Sequence, residues 1–182
     1  SGGGIDTVPP EVTSLIEKGE PEQAIAKLNA LIQQQPSDAA LYSVRATVRH
    51  RLGLNEEAIA DLNKALELNG KDARYYNNRG FVLLGMQRFD ESLKDLDRAT
   101  ELAADYPNAF NNRGLLLIAQ SRFSEAIEQL DQALKLDPNY VDAYNNRGFA
   151  ALQSGHYEAA LADFNTAMRI NPKYVNAYNN RG

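Results

Sequence analysis

The stretch Phe110-Asn111-Asn112-Arg113-Gly114 decides the fold, because its last four residues occur again at Asn77 to Gly80, Asn145 to Gly148 and Asn179 to Gly182. The step is 34 residues each time. Stepping back by the same interval from Gly80 reaches Ala46, preceded by Arg45, and then Val12, so the register runs through almost the whole chain. A fixed period of this size marks supersecondary units that bury their apolar faces against one another. Length alone, 182 residues, predicts about one globular domain with a single core. The repeat replaces that expectation with five copies and a fragment.

Around the tetrapeptide, other places recur in the same register. One small site lies at Ala24, Ala58, Ser92, Ala126 and Ala160, and another at Ala65, Ala99, Ala133 and Ala167, with Leu31 in the first copy. Large apolar residues stand between them at Leu28, Leu62, Leu96, Leu130 and Phe164. In the fourth copy Phe110, Gly114, Leu117 and Ile118 keep the three-and-four spacing of a helical face. Ser121-Arg122-Phe123-Ser124 breaks the pattern, and Ala126, Ile127, Leu130, Ala133 and Leu134 resume it, which predicts helix, turn, helix. Asp137-Pro138-Asn139, Asn171-Pro172-Lys173 and Gln35-Pro36-Ser37 close their copies, because proline disfavours continuation of the helix before it. Gly80, Gly114 and Gly148 each cost about 1 kcal/mol against alanine inside a helix, a loss that makes sense where another helix crosses close to the backbone.

Composition narrows the chemistry. The chain is 43% hydrophobic and 24% charged, with 19 basic against 24 acidic side chains and a formal charge of −5, the profile of an ordinary soluble protein. No cysteine is present, so disulfides, thiolate nucleophiles and thiolate metal sites are excluded, and two histidines leave little material for a metal site or a His-based triad. His50 and His156 read as surface residues. No apolar run approaches the roughly 20 residues that cross a bilayer, and the acidic balance disfavours a nucleic-acid partner. Asp95 and Asp97, like Glu125 and Glu128, are close in sequence but fall on second helices, where charged residues mostly form the solvated outer face. Neither a catalytic residue, a metal ligand set nor a cofactor is expected, and the chain reads as not an enzyme.

The recurring places together resemble the tetratricopeptide repeat (TPR) family. An aromatic residue at Tyr42, Tyr76, Phe110, Tyr144 and Tyr178 is followed four residues later by Ala46, Gly80, Gly114, Gly148 and Gly182, then by alanine, a large apolar residue, alanine and finally Asp-Pro. The resemblance covers residues 5–182, as repeats 5–38, 39–72, 73–106, 107–140 and 141–174 and a partial repeat 175–182. Departures are local: Gly70 stands for the closing proline of the second repeat, and the third has it displaced to Pro107. Pro9 and Pro10 replace the asparagine pair of the first repeat, so its first helix starts there and is short, as an N-terminal cap. The resemblance implies an all-α, right-handed superhelical solenoid of antiparallel helix pairs, whose concave wall is built mainly from the first helix of each pair.

Carried onto this chain, that wall includes Asn77, Asn78, Phe81 and Leu84, then Asn111, Asn112, Leu115 and Ile118, then Asn145, Asn146, Phe149 and Leu152. The second repeat contributes Ser43, Val44, Thr47, His50 and Arg51. An asparagine amide both donates and accepts, so a row of them can pair with the backbone of an extended peptide, while Phe81, Leu115 and Phe149 receive apolar side chains. Equally, the asparagines are surface residues copied with the repeat and the apolar ones pack on adjacent helices. Some family members clamp a peptide carboxylate with Lys, Asn and Arg; here Ser43, Val44, Asn108 and Asn112 hold the corresponding places, Arg74 is a single exception, and a carboxylate clamp is disfavoured. Arg45, Arg79, Arg113, Arg147 and Arg181 also recur, with Asp61, Asp95 and Asp163 sixteen residues beyond and Gln129 as the exception, a pattern that predicts charge pairing within or between repeats.

The expected function is a noncatalytic protein–protein interaction scaffold that binds a peptide or extended segment of a partner in the concave groove. The alternative is a structural self-assembly module stacking through its terminal repeats, since a helix begun by Val175, Ala177 and Tyr178 lacks its pair and forms a homo-oligomer contact unless it is covered. Residues 1–4, Ser-Gly-Gly-Gly, read as a flexible tether or an expression remnant. If that tether follows a removed signal and a lipidated cysteine, the protein is an exported, periplasmic lipoprotein; otherwise it is cytoplasmic.

Overall fold

The computed structural model describes residues 8–173. The tether at 1–4 and the partial repeat 175–182, with Tyr178, Arg181 and Gly182, lie outside the described residues. Ten helices and no strand occur among the described residues: α1 (Pro10–Glu17), α2 (Pro21–Gln34), α3 (Ala39–Arg51), α4 (Asn55–Leu68), α5 (Ala73–Gly85), α6 (Phe89–Leu102), α7 (Pro107–Ala119), α8 (Phe123–Leu136), α9 (Val141–Gln153) and α10 (Tyr157–Ile170). The fold is all-α. Two compact halves are distinguished, Ser1–Ser92 and Leu93–Gly182, with the division inside α6.

Within each repeat a three-residue turn joins the two helices, and the backbone enters the left-handed region at the same register place each time: Gly19, Gly53, Gln87, Ser121 and Gly155, with φ between 59° and 78°. That conformation ends the first helix by turning its last carbonyls onto the turn amides, as where Gly53 N donates to His50 O at 2.9 Å and Leu54 N donates to Arg49 O at 2.9 Å. Phe123 and Ser124, read from sequence as part of the break, already belong to α8. Helix starts use local chemistry. Asp38 and Asp72 cap α3 and α5, accepting from Ala40 N at 3.0 Å and Arg74 N at 2.9 Å. α1 begins at Pro10, whose fixed φ suits the first helical turn.

In the N-terminal half, Val12, Ala24 and Leu28 are wholly buried, and Ala46, Ala58, Leu62 and Val82 make a second cluster. Ser92 occupies the small site of the third repeat and remains polar without penalty, because its hydroxyl donates to the Gly80 carbonyl at 2.7 Å. In the C-terminal half, Ala126, Leu130 and Ala133 are wholly buried, as are Ala143 and Ala167. The glycine argument holds there: a Cβ at Gly114 would stand 2.6 Å from Leu130 Cγ, and one at Gly148 would stand 2.7 Å from Phe164 Cε1. First and second helices thus meet backbone against side chain.

Ala46 and Leu62 form the same pair in the N-terminal half with a Cβ present, both buried, so a leucine partner can accommodate alanine. A phenyl ring has no comparable way to yield. Gly148→Ala should lower stability by about 2 kcal/mol, an overpacking cost of about 3 less the gain of about 1 from better helix propensity, whereas Gly114→Ala should cost less than about 1. Urea denaturation of the two variants beside the parent measures the difference.

Candidate functional site

The first helices carry the residues singled out from sequence. In the N-terminal half α3 and α5 are in contact. Asn78 is half-buried and donates from Nδ2 to Ser43 Oγ at 3.1 Å, while Asn77 is buried and donates to Asn78 Oδ1 at 3.4 Å. Phe81 is 41% exposed. Its ring meets that of His50 edge-on, with centroids 5.4 Å apart, and His50 Nδ1 is 2.8 Å from Asn55 Oδ1. His50 is thus held on both sides rather than free in solvent, while His156 is exposed just before α10. Burial pushes the Asp72 carboxyl up, but hydrogen bonds from the Arg74 side chain and backbone reverse this and hold it below the usual carboxylate range.

In the C-terminal half α7 and α9 are in contact, and Asn146 Nδ2 donates to Asn111 Oδ1 at 3.0 Å across them. Asn111, Asn112 and Asn145 are buried, with exposures of 3%, 8% and 7%, whereas Asn146, Leu115 and Phe149 are partly exposed. The amides are therefore not one uniform row. Asn111 also bonds the Tyr140 phenol, whose pKa is pushed up to about 12, first by burial and then by the nearby Asp142 charge. Tyr140 remains protonated, a partner in this amide network that the recurring Asn-Asn pattern alone did not reveal.

Two of the recurrent arginines, Arg45 and Arg147, are tied on both sides. Arg45 donates through Nε and Nη2 to the two oxygens of Asp61 at 3.0 and 2.6 Å, and through Nη1 to Asn29 Oδ1 at 2.8 Å. Arg147 repeats the arrangement with Asp163 at 2.9 and 2.8 Å and with Asp131 at 2.8 Å. Each guanidinium so joins three helices, its own, the second helix of its repeat and the second helix of the repeat before. The hydrogen bonds to Asp163 raise the Arg147 pKa further above its ordinary value; burial opposes this, and Asp131 adds to it. Arg79 reaches Asn63 Oδ1 at 2.9 Å. Tyrosine rings at the preceding register place lie under the guanidinium groups of Arg45, Arg79 and Arg147, 5.6 to 5.8 Å from ring centroid to charge. Asp61, Asp95 and Asp163 are buried, so the sequence reading of Asp95 as part of a solvated face is corrected; Glu125 and Glu128 are exposed, as expected.

The fourth repeat breaks the pattern at two places, with Phe110 for tyrosine and Gln129 for aspartate. Arg113 lies 3.0 Å from Asp97 Oδ1, but out of line for a hydrogen bond, and buried Arg113 Nε, Asp97 Oδ1 and Gln129 Oε1 lack hydrogen-bond partners.

Among the described residues no group of three or more His, Cys, Asp or Glu is placed to hold a metal ion, and no helix is long and apolar enough to cross a membrane. The geometry is that of a repeated helix pair, tied in the second and fifth repeats by an arginine–aspartate fork. Family profiles agree: one described as TPR repeat matches residues 46–87 and 114–155, and two described as Tetratricopeptide repeat match 73–106 and 141–174. The chain belongs to the tetratricopeptide repeat family. No curated protein matches this TPR chain in sequence. Among solved structures it is similar to a thermophilic TPR protein of Thermus thermophilus, at 19% identity and a TM-score of 0.83, covering 93% of each chain. It is also similar to MamA from Desulfovibrio magneticus, at 20% identity and a TM-score of 0.70 over 90% of this chain and 92% of the other. A third is YrrB, described as a TPR protein with an unusual peptide-binding site, at 25% identity and a TM-score of 0.63 over 92% and 87%. These likenesses establish the solenoid-like TPR fold.

Gln129→Asp rebuilds the fork that Asp61 and Asp163 provide. The restored charge-assisted hydrogen bonds should raise stability by about 1 kcal/mol net of desolvation, read as a higher urea midpoint with an unchanged slope.

Proposed function

We propose that this TPR chain is a noncatalytic protein-interaction scaffold that holds a peptide or an extended segment of a partner protein along the first-helix faces of its repeats. One observation carries the reading. Phe81, on a first helix, leaves 41% of its surface exposed with its ring edge-on to His50, and it stands beside Asn78, which is only half-buried. An exposed apolar ring beside an amide can receive a side chain while the amide pairs with the backbone that carries it. Leu115 and Phe149 hold the same register place in the other half. Peptide contact is assigned to Phe81, Leu115, Phe149, Asn78 and Asn146, while the buried Asn77, Asn111, Asn112 and Asn145 support them from behind. YrrB, with its described peptide-binding site, supports a peptide as the class of ligand. The noncatalytic reading is supported by how the buried carboxylates are used: Asp61 and Asp163 are each forked to an arginine.

A second reading, self-assembly, has its own observation. Tyr157 and Leu161 on α10 are 69% and 47% exposed, whereas their register counterparts Phe123 and Ile127 pack against the cluster of Leu117, Ala126 and Ala150. In sedimentation across protein concentration, self-assembly through this face predicts association that Leu161→Lys abolishes; a monomer throughout removes the reading.

The groove reading is tested by placing a photo-crosslinking phenylalanine analogue at Phe81, Leu115 or Phe149, and at exposed Glu57 and Glu128 on second helices as controls. Peptides selected from a random library should label the first-helix positions and spare the controls. Labelling that favours the controls, or does not distinguish the two sets, rejects the groove.

A further inference from the structure

Between α3 and α5 lies a recess of about 160 Å³, lined by Ala40, Ser43, Val44 and Thr47 from α3 and by Arg74, Tyr75 and Asn78 from α5. It exists where the second repeat departs from the others. In the fourth repeat the places of Ser43, Val44 and Thr47 are held by Asn111, Asn112 and Leu115, and Asn111 takes the bond from Asn146 with a full-length amide. Ser43 meets the corresponding Asn78 with only a hydroxyl, and Thr47 is shorter than leucine, so less side chain stands between the helices. Tyr75 stands where α9 has Ala143 and is 3% exposed, which gives the recess a fixed aromatic wall.

The chemistry of the lining selects among occupants. Arg74 is the charged group at the recess, and it is already forked by Asp72, Nε to Oδ1 at 2.9 Å and Nη2 to Oδ2 at 2.5 Å, with its guanidinium 5.8 Å from the Tyr75 ring centroid. A ligand carboxylate would have to compete with a carboxylate in place, and a ligand cation would face Arg74. Ala40, Val44 and the Tyr75 ring offer an aliphatic group apolar contact, while the Ser43 and Thr47 hydroxyls and the Asn78 amide at the same recess can pair with the backbone that carries it. We propose that this recess receives one branched aliphatic side chain, Val, Leu or Ile, of the bound segment and so sets the residue preference at one point of the peptide. The proposal rests on the groove reading above and names the partner's chemistry at this point.

The test pans a random-peptide phage library against the parent protein and against Ser43→Asn with Thr47→Leu, which writes two of the fourth repeat's three residues into α3 and keeps Val44. Peptides selected on the parent should share a position held by Val, Leu or Ile. Changing that residue to alanine should weaken binding to the parent about tenfold and to the double variant hardly at all, since the lost apolar contact exists only in the open recess. An equal loss on both proteins, or a shared position that is acidic or basic instead, overturns the proposal. If neither protein selects any peptide, the groove reading falls and the recess assignment with it; selection without an aliphatic preference sinks the recess alone. Thr47→Leu by itself, at an exposed position, carries the comparison if circular dichroism shows that the double variant does not fold.

Discussion

The constraint on which the rest of the structure depends is the approach of a second-helix side chain to first-helix backbone. Leu130 and Phe164 press where a Cβ of Gly114 or Gly148 would stand. That contact sets the spacing inside these two helix pairs, and the wholly buried alanines at 126, 133 and 167 keep other second-helix contacts short. Dispersion energy falls steeply with separation, so one missing methyl per pair brings many other atoms into range. Glycine's poor helix propensity is the accepted cost of that contact. The N-terminal half solves the same problem differently, with Ala46 against Leu62.

Around this apolar contact lies a polar system with little slack. Arg45 and Arg147 each satisfy a buried aspartate with two parallel hydrogen bonds and use the remaining nitrogen on the preceding second helix. A buried carboxylate without such a partner would be strongly destabilising, so arginine and aspartate have to be present together. The fourth repeat shows the reverse case: with Gln129 in the aspartate's place, the Arg113 Nε finds no acceptor. The tyrosine rings beneath the other guanidinium groups add a face that accepts positive charge without hydrogen bonding it. The apolar contact sets how far apart the helices lie, and the arginine fork fixes their register.

Most of the architecture was legible because a pattern present in several copies separates necessity from accident. The period, the helix pairs, the small crossings and the Arg–Asp pairing all followed from recurrence at one interval. The asparagines were harder. Adjacent residues on a helix point about 100° apart, so Asn77 and Asn78, though copied together, meet different surroundings: the first is buried and the second half-exposed. Recurrence says that both matter but not which way either faces. Asp95 was misread for a related reason, since its charge suggested solvent while its register with arginine called for burial. The recess beside Tyr75 was invisible to pattern reading, because it comes from residues that break the pattern and from how much shorter they are.

The double reach of Arg45 and Arg147, sixteen residues forward and sixteen back, bears on how such a chain can change length. A duplication or excision of one whole period gives every arginine an equivalent carboxylate or amide on both sides. A cut of any other size leaves a guanidinium facing the wrong helix and a buried acid without its fork. Length variation is therefore quantised by electrostatics as well as by packing, and a repeat whose fork is already incomplete, as at Arg113, is where a junction between old and new copies would meet least resistance.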